Sequence, residues 1–213
     1  MNKSAVILLA TLALGVLSSS PSLACTGVPD LDLSVVWQAF EGLATLLVVP
    51  DGSGPPVTEA RTADGTVVDA TIHLTVITYC FGEDPVPDFP REDMWLESIG
   101  GGLILCQSGS IADANTDLEG HTQWSQPLKA GGYDEGNCRV MVNGNSVGEP
   151  EGLTINFNSP DMDGDTVINI TDVYRFAVDY FGDFQFRADL HRDGTVNLSD
   201  LSVLARSLGQ SCP

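Results

Sequence analysis

The sequence predicts a multidomain chain in which an N-terminal all-β sandwich is followed by a small α module. Two observations carry this prediction. Between about Leu31 and Phe157, short segments rich in β-branched and aromatic residues alternate with turns rich in Gly, Pro, Asn and Asp. After Pro160, one acidic twelve-residue pattern occurs twice at an offset of 28 residues, and an internal repeat indicates a repeated structural unit.

Residues 1–24 are predicted to be a secretory signal peptide. Lys3 precedes an uncharged apolar run, and Ser22 and Ala24 hold the small-residue positions before a cleavage site, which places the mature start at Cys25. The apolar run is shorter than the roughly 20 residues that span a bilayer. We therefore expect a protein that is secreted to the extracellular space or cell surface, without a transmembrane segment. A lipid anchor at Cys25 stays open.

Charge and cysteine usage fit export. The chain has 29 acidic and 9 basic residues, a net charge of −20, which excludes nucleic-acid binding and favours hard cations. None of the five cysteines lies in a CxxC spacing, so disulfides are favoured over zinc. The sequence weakly favours pairing Cys80 with Cys106, which flank one loop, and leaves Cys25 or Cys212 as the odd thiol.

The β part is predicted to span residues 25–158. Ile72, Leu74 and Val76 alternate with polar residues, as in a half-buried strand, and Asp117–Gly120 forms a turn before the next strand. The region resembles the immunoglobulin-like repeats of bacterial surface proteins. The residues that carry this resemblance are Gly82, Pro85, Val86, Pro87, Thr116, Asp117, Gly120, Thr122 and Trp124. The resemblance implies a binding or spacer domain.

The α module is predicted to span residues 159–213, and its repeat suits calcium. Ca²⁺ takes six to eight oxygens, with side chains at alternate loop positions and a backbone carbonyl at the seventh. The first loop offers Asp161, Asp163, Asp165, the Val167 carbonyl, Asn169 through water, and Asp172. The second offers Asp189, Asp193, the Thr195 carbonyl, Asn197 and Asp200, with His191 at its third ligand position.

Each loop leads into an amphipathic helix. Helical spacing predicts one apolar stripe through Val173, Phe176, Ala177, Tyr180 and Phe181, and another through Leu201, Leu204, Ala205 and Leu208. Thr171–Asp172 and Ser199–Asp200 are predicted to cap the helix starts, and Gly182 and Gly209 to end the helices. Ile168 and Val196, at the eighth loop positions, are expected to face inward and to share a short β-bridge.

Two such loops, each ending in Asp and followed by one helix, resemble a dockerin module, an EF-hand-like pair of calcium loop-helix units. The resemblance covers Asp161 to about Gly209 and implies a tethering module that calcium orders and that docks onto a cohesin-like domain. Two departures predict unequal sites, with the second weaker. Thr166 replaces the usual Gly at the sixth position of the first loop, and His191 is a poor calcium ligand.

No catalytic pattern is evident, and we expect no enzyme. His73 and His121 lie beside strand and turn residues, and no nucleophile motif, zinc-protease motif or phosphate loop occurs. Dockerins commonly accompany polysaccharide-degrading enzymes, so a polysaccharide-binding or glycoside-hydrolase component is the alternative. Exposed tryptophans among Trp37, Trp95 and Trp124 would favour sugar binding. Three buried ones would favour a spacer.

Overall fold

A computed structural model describes residues 27–79, 82–148 and 152–213. The predicted signal peptide, Cys25 and Cys80 lie outside these residues. The described chain is mostly β-strand, with two α-helices near its end. The strands are β1 (Val35–Gln38), β2 (Ala44–Leu47), β3 (Ala60–Arg61), β4 (Val67–Val68), β5 (Ile72–Thr75), β6 (Ile77–Tyr79), β7 (Glu83–Pro85), β8 (Met94–Ser98), β9 (Leu103–Leu105), β10 (His121–Trp124), β11 (Ala130–Gly132), β12 (Cys138–Val142), β13 (Asn145–Val147) and β14 (Ile155–Asn158). The helices are α1 (Ile170–Tyr180) and α2 (Leu198–Ser207).

The strands pair into several small sheets. Three antiparallel strands run in the order β1-β5-β10, and three more in the order β13-β12-β8. A four-stranded sheet has the order β14-β2-β3-β4, in which β14 and β2 are parallel. The strands β9 and β11 form one further pair, and β6 and β7 another. The β-rich prediction is therefore confirmed at the level of class.

Strand β5 shows why the alternating pattern forms a strand. Ile72, Leu74 and Val76 are fully buried, as predicted, while His73 between them is partly exposed. The predicted turn at Asp117 is also present. The Gly120 N–H donates to the Asp117 carbonyl at 3.0 Å, and Gly120 has a φ of 73°, which glycine adopts without steric cost.

Strand β2 and the residues after it separate two hydrophobic cores. Ala44, Leu46 and Val48 face the large core of the β part, whereas Leu47 and Val49 face a second core built mainly by the tail. Successive side chains of a strand point to opposite faces, so an uninterrupted apolar run is what a strand covered on both sides requires. The second core contains Met162, Ile168, Phe176, Ala188, Leu190, Val203 and Leu204 from the tail.

A disulfide also joins the tail to the β part. It links Cys106, just after β9, to Cys212. The predicted pairing of Cys80 with Cys106 is therefore wrong, as is the suggestion that Cys212 is the odd cysteine. Cys138 is a buried free thiol in β12. The prediction paired neighbours along the chain, but packing of the tail on the β part brings a distant cysteine to Cys106.

No helix in the described ranges is long and apolar enough to cross a bilayer.

Candidate functional site

The first acidic loop brings three carboxylates together. Asp161, Asp163 and Asp165 each offer an oxygen, and these oxygens all lie within 4.8 Å of one another. Oxygens at 2.3–2.6 Å from one Ca²⁺ have separations in this range. Within the described ranges, no other group of three His, Cys, Asp or Glu residues meets this criterion. The loop could therefore hold a metal ion, although such a cluster does not by itself select calcium.

Backbone N–H groups hold Asp161 in place. Its two carboxylate oxygens accept from the Gly164 N–H at 3.0 Å and the Thr166 N–H at 2.8 Å. Asp161 is fully buried, and burial raises the pKa of its carboxyl to about 6. A buried carboxylate beside two others has an unfavourable charge that a divalent cation would neutralise.

Asp172, at the twelfth loop position, is not a member of the group of three clustered carboxylates. It accepts from the Met162 N–H at 2.7 Å and the Asn169 N–H at 2.8 Å, so it closes the ends of the loop on each other. Burial raises the pKa of Asp172 also. Val167 is exposed at its side chain, and its carbonyl accepts from the Asn169 amide at 3.0 Å.

The second loop repeats the framework but not the cluster. Asp189 accepts from the Asp193 and Gly194 N–H groups at 3.1 and 2.9 Å. Asp200 accepts from the His191 and Asn197 N–H groups, both at 2.7 Å. The loop therefore folds around its first and twelfth residues in the same way as the first loop.

Two further predicted ligand residues of the second loop, Asp193 and His191, contact other side chains. Asp193 accepts from the Thr195 hydroxyl at 2.7 Å, and this bond lowers the pKa of Asp193. His191 Nε2 lies 3.5 Å from a guanidinium nitrogen of Arg61, on β3. Among the described residues, the predicted ligands of this loop are not gathered into a three-residue cluster.

Both loops end in a capping box. Asn169 and Asn197 are the N-caps, accepting from Thr171 and Ser199 at 2.7 Å, while Asp172 and Asp200 bond back to the cap N–H groups. The predicted capping oxygens of Asp172 and Asp200 are confirmed, but the N-cap itself lies two residues before Thr171 or Ser199, because Asn at the ninth position serves as both loop residue and cap. Helix α2 ends before Gly209, which has a φ of 86°, as predicted. Helix α1 ends before Phe181 and Gly182.

The structure also differs from the predicted β-bridge between Ile168 and Val196, the eighth residues of the two loops. Ile168 is fully buried, but its N–H and carbonyl bond to Gln210 and Gly209, at 2.9 and 2.8 Å. Within the described chain no bridge joins it to Val196. The segment after α2 returns alongside the first loop and takes the place that the prediction gave to the second loop.

The buried faces of the helices agree with the predicted stripes only in part. Helix α1 packs Val173, Phe176 and Tyr180 against the second core, as predicted, but Phe181 lies past its end and is 86% exposed. Helix α2 buries Val203, Leu204 and Ser207, whereas Leu201, Ala205 and Leu208 are exposed. The spacing correctly predicted two helices, but packing against the β part determines which face of each helix is buried.

Helix α1 consequently exposes an apolar face. This α1 apolar face consists of Ile170, Tyr174, Val178 and Phe181, whose spacing places them on one side of the helix. The four residues are between 53% and 86% exposed. An exposed apolar group of this kind is typical of a surface that contacts another molecule.

The β part contacts both loops in ways that the sequence did not reveal. The Gly132 N–H, at the end of β11, donates to the Asp161 carbonyl at 2.7 Å. A Cβ on neighbouring Gly131 would collide with the Asp161 carboxylate. The side chain of Asn158, fully buried at the end of β14, donates to the carbonyls of Phe186 and Asp189, both at 2.8 Å. The adjacent glycines of β11 are the only sequence signal for this close approach.

The three tryptophans have different environments. Trp124 is fully buried and Trp95 partly so, whereas Trp37 is 47% exposed and stacks on His73 with ring centroids 3.8 Å apart. His73 Nδ1 lies 3.0 Å from His121 Nε2. The tryptophans therefore form neither an exposed row nor a fully buried set.

Comparisons with protein-family models, curated proteins and solved structures gave no match for this chain.

Proposed function

We propose that this chain is a secreted calcium-binding protein whose dockerin-like tail presents α1 to a partner and attaches an immunoglobulin-like β-sandwich to it or to the cell surface. The convergence of the Asp161, Asp163 and Asp165 carboxylates carries the proposal. The two capping boxes and the repeated bonding of Asp161 and Asp189 support a paired loop-helix unit. The β part would act as a binding or spacer domain, without catalysis.

Calcium would bind chiefly at the first loop. Its three carboxylates share one small volume, whereas the second loop turns His191 towards Arg61. Hard oxygen ligands in a flexible loop favour Ca²⁺ over Mg²⁺, which demands near-octahedral geometry. Binding would relieve the repulsion among the clustered carboxylates, so calcium would raise the stability of the folded chain.

The test is calorimetric titration of the full chain with Ca²⁺ and, separately, Mg²⁺. The full chain is needed because the tail shares its core with Leu47 and Val49 and is bonded to Cys106. Asp165→Asn should weaken the tightest binding event by at least about tenfold. Asp193→Asn, the matched change in the second loop, should leave that event in place. No calcium binding, or equal losses in both variants, would refute a first-loop site.

The partner proposal needs its own experiment. The α1 apolar face is the surface we assign to docking, and a panel of recombinant cohesin domains is the probe. The double variant Tyr174→Ser/Phe181→Ser should abolish capture, while Leu198→Ser, an equally exposed change on α2, should retain it. Calcium binding should be unchanged in both. If no cohesin domain is captured by the unaltered protein, the cohesin assignment fails.

Polysaccharide binding is a second candidate, favoured by Trp37. An exposed indole beside a histidine ring offers a stacking surface for one sugar ring. Trp37→Ala should then remove retention of the protein on insoluble polysaccharides. Val35→Ala, on the same face of β1 and similarly exposed, is the control. Equal retention of both variants would exclude this role for Trp37.

A further inference from the structure

A cavity lies where the second loop and α2 meet the β part. It has a volume of about 480 Å³. Its apolar lining comes from Leu47 and Val203, among others, and three arginines also line it: Arg61 from β3, Arg192 from the second loop and Arg206 from α2. Three cations at one cavity are unexpected in a chain that carries nine basic residues against 29 acidic ones.

These three arginines differ from the others in the described chain because no carboxylate oxygen lies within ion-pair distance of them. Four arginines lie 2.7–3.7 Å from a carboxylate oxygen, namely Arg91, Arg139, Arg175 and Arg187. Across the described ranges, no such ion pair is formed by Arg61, Arg192 or Arg206. The nearby acids Asp189 and Asp193 accept from N–H groups of their own loop instead. The positive charge at the cavity is therefore left without a bonded carboxylate.

Arg192 is the most informative of the three. It is 8% exposed, and one of its terminal nitrogens donates to the Thr45 carbonyl at 3.4 Å, while its Nε has no hydrogen-bond partner among the described residues. A buried guanidinium without a carboxylate is unfavourable, because desolvation is not offset by an ion pair. A bound anion would supply that missing charge.

Two further side chains of the cavity lack strong partners. Arg61 donates to the Gly65 carbonyl at 3.3 Å and lies 3.5 Å from His191 Nε2, so two nitrogen-bearing groups meet there. Gln210 lines the cavity, and among the described residues its buried Oε1 has no hydrogen-bond partner. Rotation of the side-chain amide would turn this oxygen towards a hydroxyl group in the cavity.

We propose that this cavity binds a small hydroxylated organic anion, in which a carboxylate or sulfate group meets the arginines and a hydroxyl group meets Gln210. Guanidinium groups pair with planar and tetrahedral oxyanions through directed hydrogen bonds. The apolar lining suits the carbon face of such a ligand, and the volume admits a single sugar-sized molecule. His191, which interrupts the ligand series of the second loop, thereby belongs to a different site.

The experiment is calorimetric titration of the full chain, saturated with Ca²⁺, with four probes: glucuronate, glucose 6-sulfate, glucose and inorganic sulfate. We expect glucuronate or glucose 6-sulfate to bind, and the stronger of the two identifies the anionic group. Glucose and inorganic sulfate should bind at least about tenfold more weakly, since each lacks half of the recognised chemistry. Absence of binding by both sugar anions overturns the proposal, as does binding of inorganic sulfate equal to theirs.

Three variants test whether the sugar anion binds in this cavity. Arg206→Gln and Arg61→Gln should each lower the affinity for the sugar anion by about tenfold or more. Arg91→Gln removes one positive charge from an exposed arginine elsewhere and should leave the affinity unchanged. Arg206 is exposed, and among the described residues its side chain bonds only to the Ser202 carbonyl of its own helix, so its replacement should not impair folding, which thermal unfolding can check. Equal weakening in all three variants would show a general charge effect and overturn the site.

Discussion

Gly131 lies where β11 passes the first acidic loop, and it leaves no room for a side chain. We predict that Gly131→Ala lowers the free energy of unfolding by about 2 kcal/mol, because the new Cβ displaces the Asp161 carboxylate. Calcium affinity should fall with it. Denaturant unfolding and calcium titration measure the two effects. Gly82→Ala, where a Cβ has open space, is the control, and a Gly131→Ala variant as stable as this control would contradict the contact.

The raised pKa of Asp161 predicts that the stability of the folded chain depends on pH. Its pKa in the folded chain, about 6, is raised above the ordinary value of 3.8, so the folded state binds the proton more tightly than the unfolded state. The calcium-free protein therefore loses stability as the pH rises from about 4 to 6. Calcium needs the carboxylate, so the rise in melting temperature on adding calcium should be larger at pH 7 than at pH 5. Equal shifts at both values would contradict this assignment.

At the scale of elements, each helix depends on an asparagine that belongs to the preceding loop. Asn197 caps α2, and we predict that Asn197→Ala lowers the free energy of unfolding by about 1 kcal/mol. Ser202→Ala, on the exposed side of the same helix, should change it by less than about 0.5 kcal/mol. Denaturant unfolding in calcium distinguishes them. If both variants matched the unaltered protein, the cap would not contribute to stability.

An element could be predicted when the contacts that form it lie between residues close together in sequence. Alternation in β5 and the repeated acidic loops predicted a strand and two helices, because these patterns require only near neighbours. The capping oxygens of Asp172 and Asp200 were predicted, but the N-caps Asn169 and Asn197 were assigned solely to metal binding. The covered face of α1 was largely predicted by its spacing, whereas that of α2 was not, because it depends on contacts with residues more than a hundred positions earlier, such as Leu47.

The two parts of the whole molecule are joined by β2, which faces both cores, and by the disulfide from Cys106 to Cys212. Neither the shared core nor the cysteine pairing could be read from local pattern, because both arise from the docking of the tail. The same applies to the cavity lined by Arg61, Arg192 and Arg206, because Arg61 lies more than a hundred residues before the other two in sequence.

We predict that the double variant Cys106→Ala/Cys212→Ala lowers the free energy of unfolding by about 4 kcal/mol. The bond closes a loop with a sequence separation of 106 residues, and loops of this length confer roughly that stabilisation through chain entropy. Cys138→Ala is the control, since Cys138 has no disulfide partner and burial raises its pKa to about 12. Denaturant unfolding checks the difference, and a double variant as stable as the control would contradict it.

The position of the free thiol Cys138 between Cys106 and Cys212 in the chain has a consequence for disulfide formation. In the export that we propose, Cys138 would enter the oxidising compartment after Cys106 but well before Cys212, so it would be the first of these two potential partners to become available to Cys106. A correct product then requires Cys138 to be withdrawn into the β core before oxidation takes place, or a mispaired bond to be reshuffled later. The speed with which β12 becomes buried would thus govern the yield of correctly joined molecules.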